Sequence, residues 1–131
     1  MLEEPWLSLL LLAGRVAMAV VFLISGVHKG IWFAKGVKEF QDAKVPYLHF
    51  FLFVTIALHL VAPILIITGH FVRVSAVALA VFTVVATVKV HHFWNMTGDD
   101  VLLHSRIALT NLAVIGGLLL LAAVGPGKLI M

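Results

Sequence analysis

Seven histidines stand in 131 residues, a high number for so apolar a chain. His28, His49, His91, His92 and His104 each fall beside the end of a long apolar run. Imidazole suits Zn, Cu, Fe and haem iron, and it relays protons near neutral pH. A metal or haem would need two or more of these rings to converge. His91 and His92 are adjacent, so on a helix their side chains diverge by about 100°. No spacing within the set matches a metal motif. An interfacial imidazole also has a plainer use, because its ring straddles water and lipid.

His59 is the sharper candidate. It sits near the middle of an uncharged run, with Pro63 four residues later. The proline ring clashes with the His59 carbonyl and removes its amide partner. A kink, a free carbonyl and an imidazole then coincide at one depth. Intramembrane polar groups usually face the bundle and mark a site. The alternative is a neutral histidine bonded to a neighbouring helix as packing glue.

Arg15 lies inside the first apolar run, and no acidic residue lies inside any of the runs. It is expected to snorkel to the nearer headgroups, or to mark a later start of the first span. Contact with an anionic group or a quinone carbonyl is the functional alternative. Lys29, Lys89 and Arg106 flank apolar runs and suit topology and lipid phosphate. With His28 and Trp94, Lys29, Lys89 and Arg106 are candidates for a polar mouth between helices. Asn111 could hydrogen-bond across helices or reach a ligand. The candidate ligand-binding set is thus His59, Arg15, His28, Lys29, Trp94, Arg106 and Asn111.

What is missing also counts. There are no cysteines, which removes disulfides, Cys-ligated zinc, iron–sulfur clusters and thiol relays. The lack of an intramembrane carboxylate argues against the small exporters that couple drug and proton on such a group. Nine Lys+Arg against six Asp+Glu give a net charge of +3. That excess serves topology and headgroups, and no nucleic-acid-binding motif is visible.

The elements that must position these residues are membrane spans. Apolar residues make up 63% of the chain and charged residues 11%. A soluble domain would have about 45–50% and about 25%, and a chain this short cannot hide that much apolar surface from water. Residues 16–27, 45–72, 74–88 and 107–127 carry no Asp, Glu, Lys or Arg. A span needs about 20 apolar residues. Four spans are expected, at about 6–27, 47–68, 71–91 and 105–124, which makes 1–131 a single membrane domain. The acidic start before Pro5 and Trp6 reads as a retained first helix rather than a secretory leader. Gly26 and Gly30 read as loosening the end of span 1. Pro46 opens span 2, Thr68-Gly69-His70 is a tight turn, and Gly125-Pro126-Gly127 ends span 4.

Residues 28–46 are too polar to span. Ile31, Trp32, Phe33, Val37 and Phe40 alternate with Lys35, Lys38, Glu39 and Asp42. This predicts a short amphipathic helix in the interface, anchored by Trp32. The expected fold class is therefore all-α, a four-helix transmembrane bundle with one interfacial helix between spans 1 and 2. The larger loops carry most of the Lys and Arg, so the positive-inside rule places them in the cytoplasm. Gly116-Gly117 and the alanines of span 3 (Ala76, Ala78, Ala80, Ala86) allow close helix approach and self-association into a homo-oligomer.

An ordered set of segments resembles the DoxX family. Span 1 has Gly14-Arg15-Val16 and Phe22-Leu23-Ile24-Ser25-Gly26-Val27-His28-Lys29. Val45-Pro46, Ile66-Ile67-Thr68-Gly69 with Arg73, and His91-His92-Phe93-Trp94 follow in order. Asn111-Leu112-Ala113, Gly116-Gly117 and Gly125-Pro126-Gly127-Lys128 complete the set. The chain has His59 where members often carry an acidic residue in span 2. The resemblance implies a multi-pass protein of a prokaryotic cytoplasmic membrane. It also implies a small subunit or accessory factor of a membrane redox system, a quinone-linked oxidoreductase, with quinone as the implied small molecule. The residues leave two other functions open. One is binding or transport of a small molecule in a polar pocket near the middle of span 2. The other is a haem or metal protein using the clustered histidines.

Overall fold

The computed structural model describes residues 3–130. It is built from helices, with no strand among the described residues. The helices are α1 (Trp6–Ile31), α2 (Phe33–Asp42), α3 (Leu48–Thr68), α4 (Val72–Val90) and α5 (Asp99–Val124). A 3-10 turn, Phe93–Asn95, precedes α5. The segments Trp6–Ile31, Leu48–Thr68, Val72–Asn95 and Asp99–Val124 are each long and apolar enough to cross a membrane. The short α2 joins the first two, as the charge pattern requires.

Two helices are longer than their apolar runs. α1 continues to Ile31 and α5 begins at Asp99, ahead of the expected 27 and 105. A 26-residue helix is about 39 Å long, whereas the hydrocarbon core is about 30 Å. The extra turns therefore stand in the headgroup layer. Asp99 and Asp100 occupy the first turn of α5, where negative charge suits the helix dipole.

α1 packs most extensively on α3, and α4 on α5; α3 and α4 join the two pairs. α2 lies against α3, burying Gly36 and Phe40. Small residues let the helices close tightly at the end holding the α3–α4 turn. There Ala19, Ala62, Ile66, Ala76, Leu79, Ala80 and Leu118 form the core with Phe22. The opposite end holds a cavity between the helices. Most other large apolar side chains point outward, as a bilayer solvent allows.

Arg15 corrects an expectation. It is wholly buried and does not reach the headgroups. Its guanidinium donates to the Pro126 carbonyl at 2.6 Å and to the Ile67 carbonyl at 2.9 Å. Both acceptors belong to chain ends that lack intrahelical donors: the last turn of α3 and the turn after α5. Their partial negative charge suits a guanidinium. Arg73 donates to the Val124 carbonyl at 3.4 Å and closes the same end.

Gly26 corrects another. It does not loosen α1. A Cβ there would stand 2.9 Å from the His59 Cβ and 3.1 Å from the His59 carbonyl carbon and oxygen. Gly26 is where α1 and α3 approach closely. It abuts the carbonyl whose amide partner Pro63 removes, although α3 stays helical through Pro63.

Candidate functional site

Above the tight core, α1, α3, α4 and α5 enclose a cavity of about 600 Å³, with α2 and Pro46 on its rim. His59 belongs to its inner end. Along α3 it lies about 16 Å from Leu48 and about 14 Å from Thr68, so it sits near the bilayer middle. It is 3% exposed, which shows that it does not face lipid. Phe22 and Phe82 hold the ring, with centroids at 5.4 Å (tilted) and 4.6 Å (edge-on). Its Nδ1 lies 2.7 Å from the Thr55 carbonyl oxygen. A carbonyl only accepts, so Nδ1 carries the proton and donates. In the neutral ring Nε2 is then the acceptor.

The walls are mostly apolar. Phe22, Phe40, Phe51 and Phe82 contribute rings, and valines fill much of the rest. Val21, Val54 and Val85 line the cavity and are also exposed at the outer surface, so it communicates with the surface that faces lipid. The threonine hydroxyls are committed as donors to their own helices. Thr55 donates to Phe51 O and Thr83 to Leu79 O, both at 2.7 Å. Asn111 Nδ2 donates to Thr87 Oγ1 at 3.0 Å and ties α5 to α4 on the cavity wall. The rim is polar, with Lys29, Glu39, Lys89 and His91.

The structure brings together part of the candidate set. His59, Lys29 and Asn111 share the main cavity. His28 and Lys29 line a neighbouring groove beside Trp32, in the elbow between α1 and α2. His28 stacks edge-on with Trp32 at 5.0 Å. Trp94 is 56% exposed and packs on Phe93 and His92. Arg106 is exposed on α5 and does not line either cavity. Arg15 is at the other end of the bundle.

Of the five interfacial histidines, only His91 and His104 meet. Their Nδ1 atoms are 2.8 Å apart, so one ring donates to the other. His49 lies against Phe33, with centroids at 6.5 Å. His92 Nδ1 donates to the Lys89 carbonyl at 3.0 Å. Among the described residues no group of three or more His, Asp or Glu is placed to hold a metal ion.

Several residues of the site escaped the sequence. Phe22, Phe82, Thr55 and Phe40 look like ordinary span residues. Gly26 had a signal, since a Ser-Gly pair within an apolar span is a sign of close helix approach.

A four-helix bundle with this amphipathic elbow and this order of segments defines a small integral membrane protein. The chain matches the DoxX family over residues 10–92 and belongs to it. It is a multi-pass inner-membrane protein. The inner membrane protein YphA of Escherichia coli (strain K12) is 33% identical over 120 residues, covering 92% of this chain and 86% of that protein. No solved structure gives a significant match.

Proposed function

We propose that the chain binds a small, largely apolar molecule within the membrane, in the cavity that ends at His59. The cavity itself carries this reading. Its volume of about 600 Å³ falls within the range of small-molecule sites, about 300–1,000 Å³. Its lining combines apolar walls with a few placed polar groups, as such sites do. His59 supplies the orienting contact, because Nε2 accepts a hydrogen bond from a ligand O–H or N–H. On the positive-inside count the rim faces the cytoplasm.

A second reading uses the same cavity. A small subunit or accessory factor of a quinone-linked oxidoreductase would hold the quinone pool here. The acceptor at Nε2 favours it, since a quinol hydroxyl is a donor of the matching kind. In this reading the redox chemistry resides in a partner protein, and the partner co-purifies.

The test is a comparison of small molecules released from wild type and from His59→Leu, both purified from their own membrane in mild detergent. Wild type should carry one compound at near-equal molar amount, and the variant should lose most of it while melting at a similar temperature. Identical extracts from the two proteins would refute the site. Co-elution of an oxidoreductase subunit with wild type would favour the second reading over simple binding.

A further inference from the structure

Lys29 points the wrong way for a lysine that serves only the interface. It stands in the last turns of α1, where an ammonium ordinarily snorkels outward to water. Here Nζ donates to Ser25 Oγ at 3.1 Å, one turn nearer the bilayer middle. Lys29 is half-buried, and it lines both the main cavity and the groove in the α1–α2 elbow. Ser25 is a neutral acceptor, and an ammonium has three donors. A charge turned inward at the edge of an apolar cavity calls for a stronger acceptor than a hydroxyl.

The rim taken with Lys29 is net positive. Lys89 adds a second ammonium, Glu39 sets one carboxylate against the two, and His91 completes the edge. Below the rim the surface is aromatic and aliphatic down to His59. The arrangement is polar and net positive at the membrane face, and apolar toward the middle. That polarity matches a molecule with a negative head and a hydrocarbon body.

We propose that the cavity takes a single-chain anionic amphiphile, with its head on the Lys29 ammonium and its chain running inward past Phe22 and Phe82 toward His59. The proposal rests on the cavity reading above and names its ligand class. The volume decides between one chain and two. A cavity of about 600 Å³ has room for one chain, whereas a two-chain phospholipid would leave its second chain outside.

Native mass spectrometry in a nonionic detergent tests this, with palmitate as probe and hexadecanol as its uncharged counterpart. Wild type should retain one palmitate and retain hexadecanol more weakly. Lys29→Met should lower palmitate retention about tenfold or more, the value of a charge-assisted hydrogen bond. Lys29→Arg should restore it, which separates lost charge from lost folding. Lys38→Met, a change on the exposed face of α2, should have no effect. Equal retention of palmitate and hexadecanol, or equal behaviour of Lys29→Met and Lys38→Met, would overturn the anion. The cavity reading would survive that result if Ala86→Leu, which adds bulk to the wall, lowers retention of both probes. Full retention in Ala86→Leu would overturn the proposal and the cavity reading together. Displacement of palmitate by an equal amount of phosphatidylglycerol would assign Lys29 to a phospholipid headgroup and overturn the single-chain ligand.

Discussion

Replacing Gly26 by alanine probes the point where fold and site coincide. The new Cβ would stand 2.9 Å from the His59 Cβ and 3.1 Å from its carbonyl carbon and oxygen. These atoms are backbone or backbone-linked, so no flexible side chain can yield. α1 must instead retreat from α3. Overpacking of this kind costs about 1–3 kcal/mol. Alanine also recovers up to about 1 kcal/mol of helix propensity relative to glycine, which hides part of that cost. Gly14→Ala supplies the control, since nothing lies within 4 Å of a Cβ there. Both positions are inside α1, so the propensity gain largely cancels in the comparison. Gly26→Ala should therefore be about 1–3 kcal/mol less stable than Gly14→Ala. Thermal unfolding in detergent, followed by circular dichroism, reads the difference. Retreat of α1 also displaces Phe22 and Ser25, so occupancy of the cavity should fall with stability. Equal melting and equal occupancy in the two variants would refute the close approach at His59.

Three further outcomes follow from particular contacts. Arg15→Leu leaves the Ile67 and Pro126 carbonyls without their donor and should destabilise by about 2–4 kcal/mol, less than two full charged bonds because burial of the guanidinium is relieved; carboxypeptidase digestion should then reach the C-terminal residues faster than in wild type. Ala86→Leu adds bulk to the cavity wall, so it should keep or raise the melting temperature while ligand occupancy falls; a drop in stability without loss of ligand would contradict the cavity's shape. His104→Leu strands the His91 Nδ1 and should cost about 1–3 kcal/mol, with faster hydrogen exchange confined to the C-terminal turn of α4 and the first turns of α5.

The topology was legible because charge punctuates the chain. Each long interval without Asp, Glu, Lys or Arg overlaps one helix long and apolar enough to cross a membrane, and the polar alternation after Lys29 is α2. The inward placement of His59 was legible too, because an imidazole near the middle of an uncharged run is expected to face the bundle. What failed depends on helix rotation and long-range pairing. Sequence places five histidines at one face, but their convergence depends on the direction each helix presents, and only His91 and His104 face each other. Arg15 finds its acceptor on Pro126, 111 residues away, and no local pattern reports that bond. Helix propensity alone makes Gly26 a weak point of α1, whereas its role comes from what α3 places opposite it. The sequence offers Lys29 both as an interfacial lysine and as a candidate for the polar mouth, and only the bond to Ser25 reveals its inward turn.

On the proposed function a small molecule occupies the cavity at His59. Photocrosslinking in the native membrane tests it most directly, with benzoylphenylalanine placed at Phe82, inside the cavity, and separately at Phe71, which is 75% exposed. Intact mass should show one discrete small-molecule adduct at position 82 and a spread of phospholipid adducts at position 71. The same phospholipid spread at both positions would contradict the account.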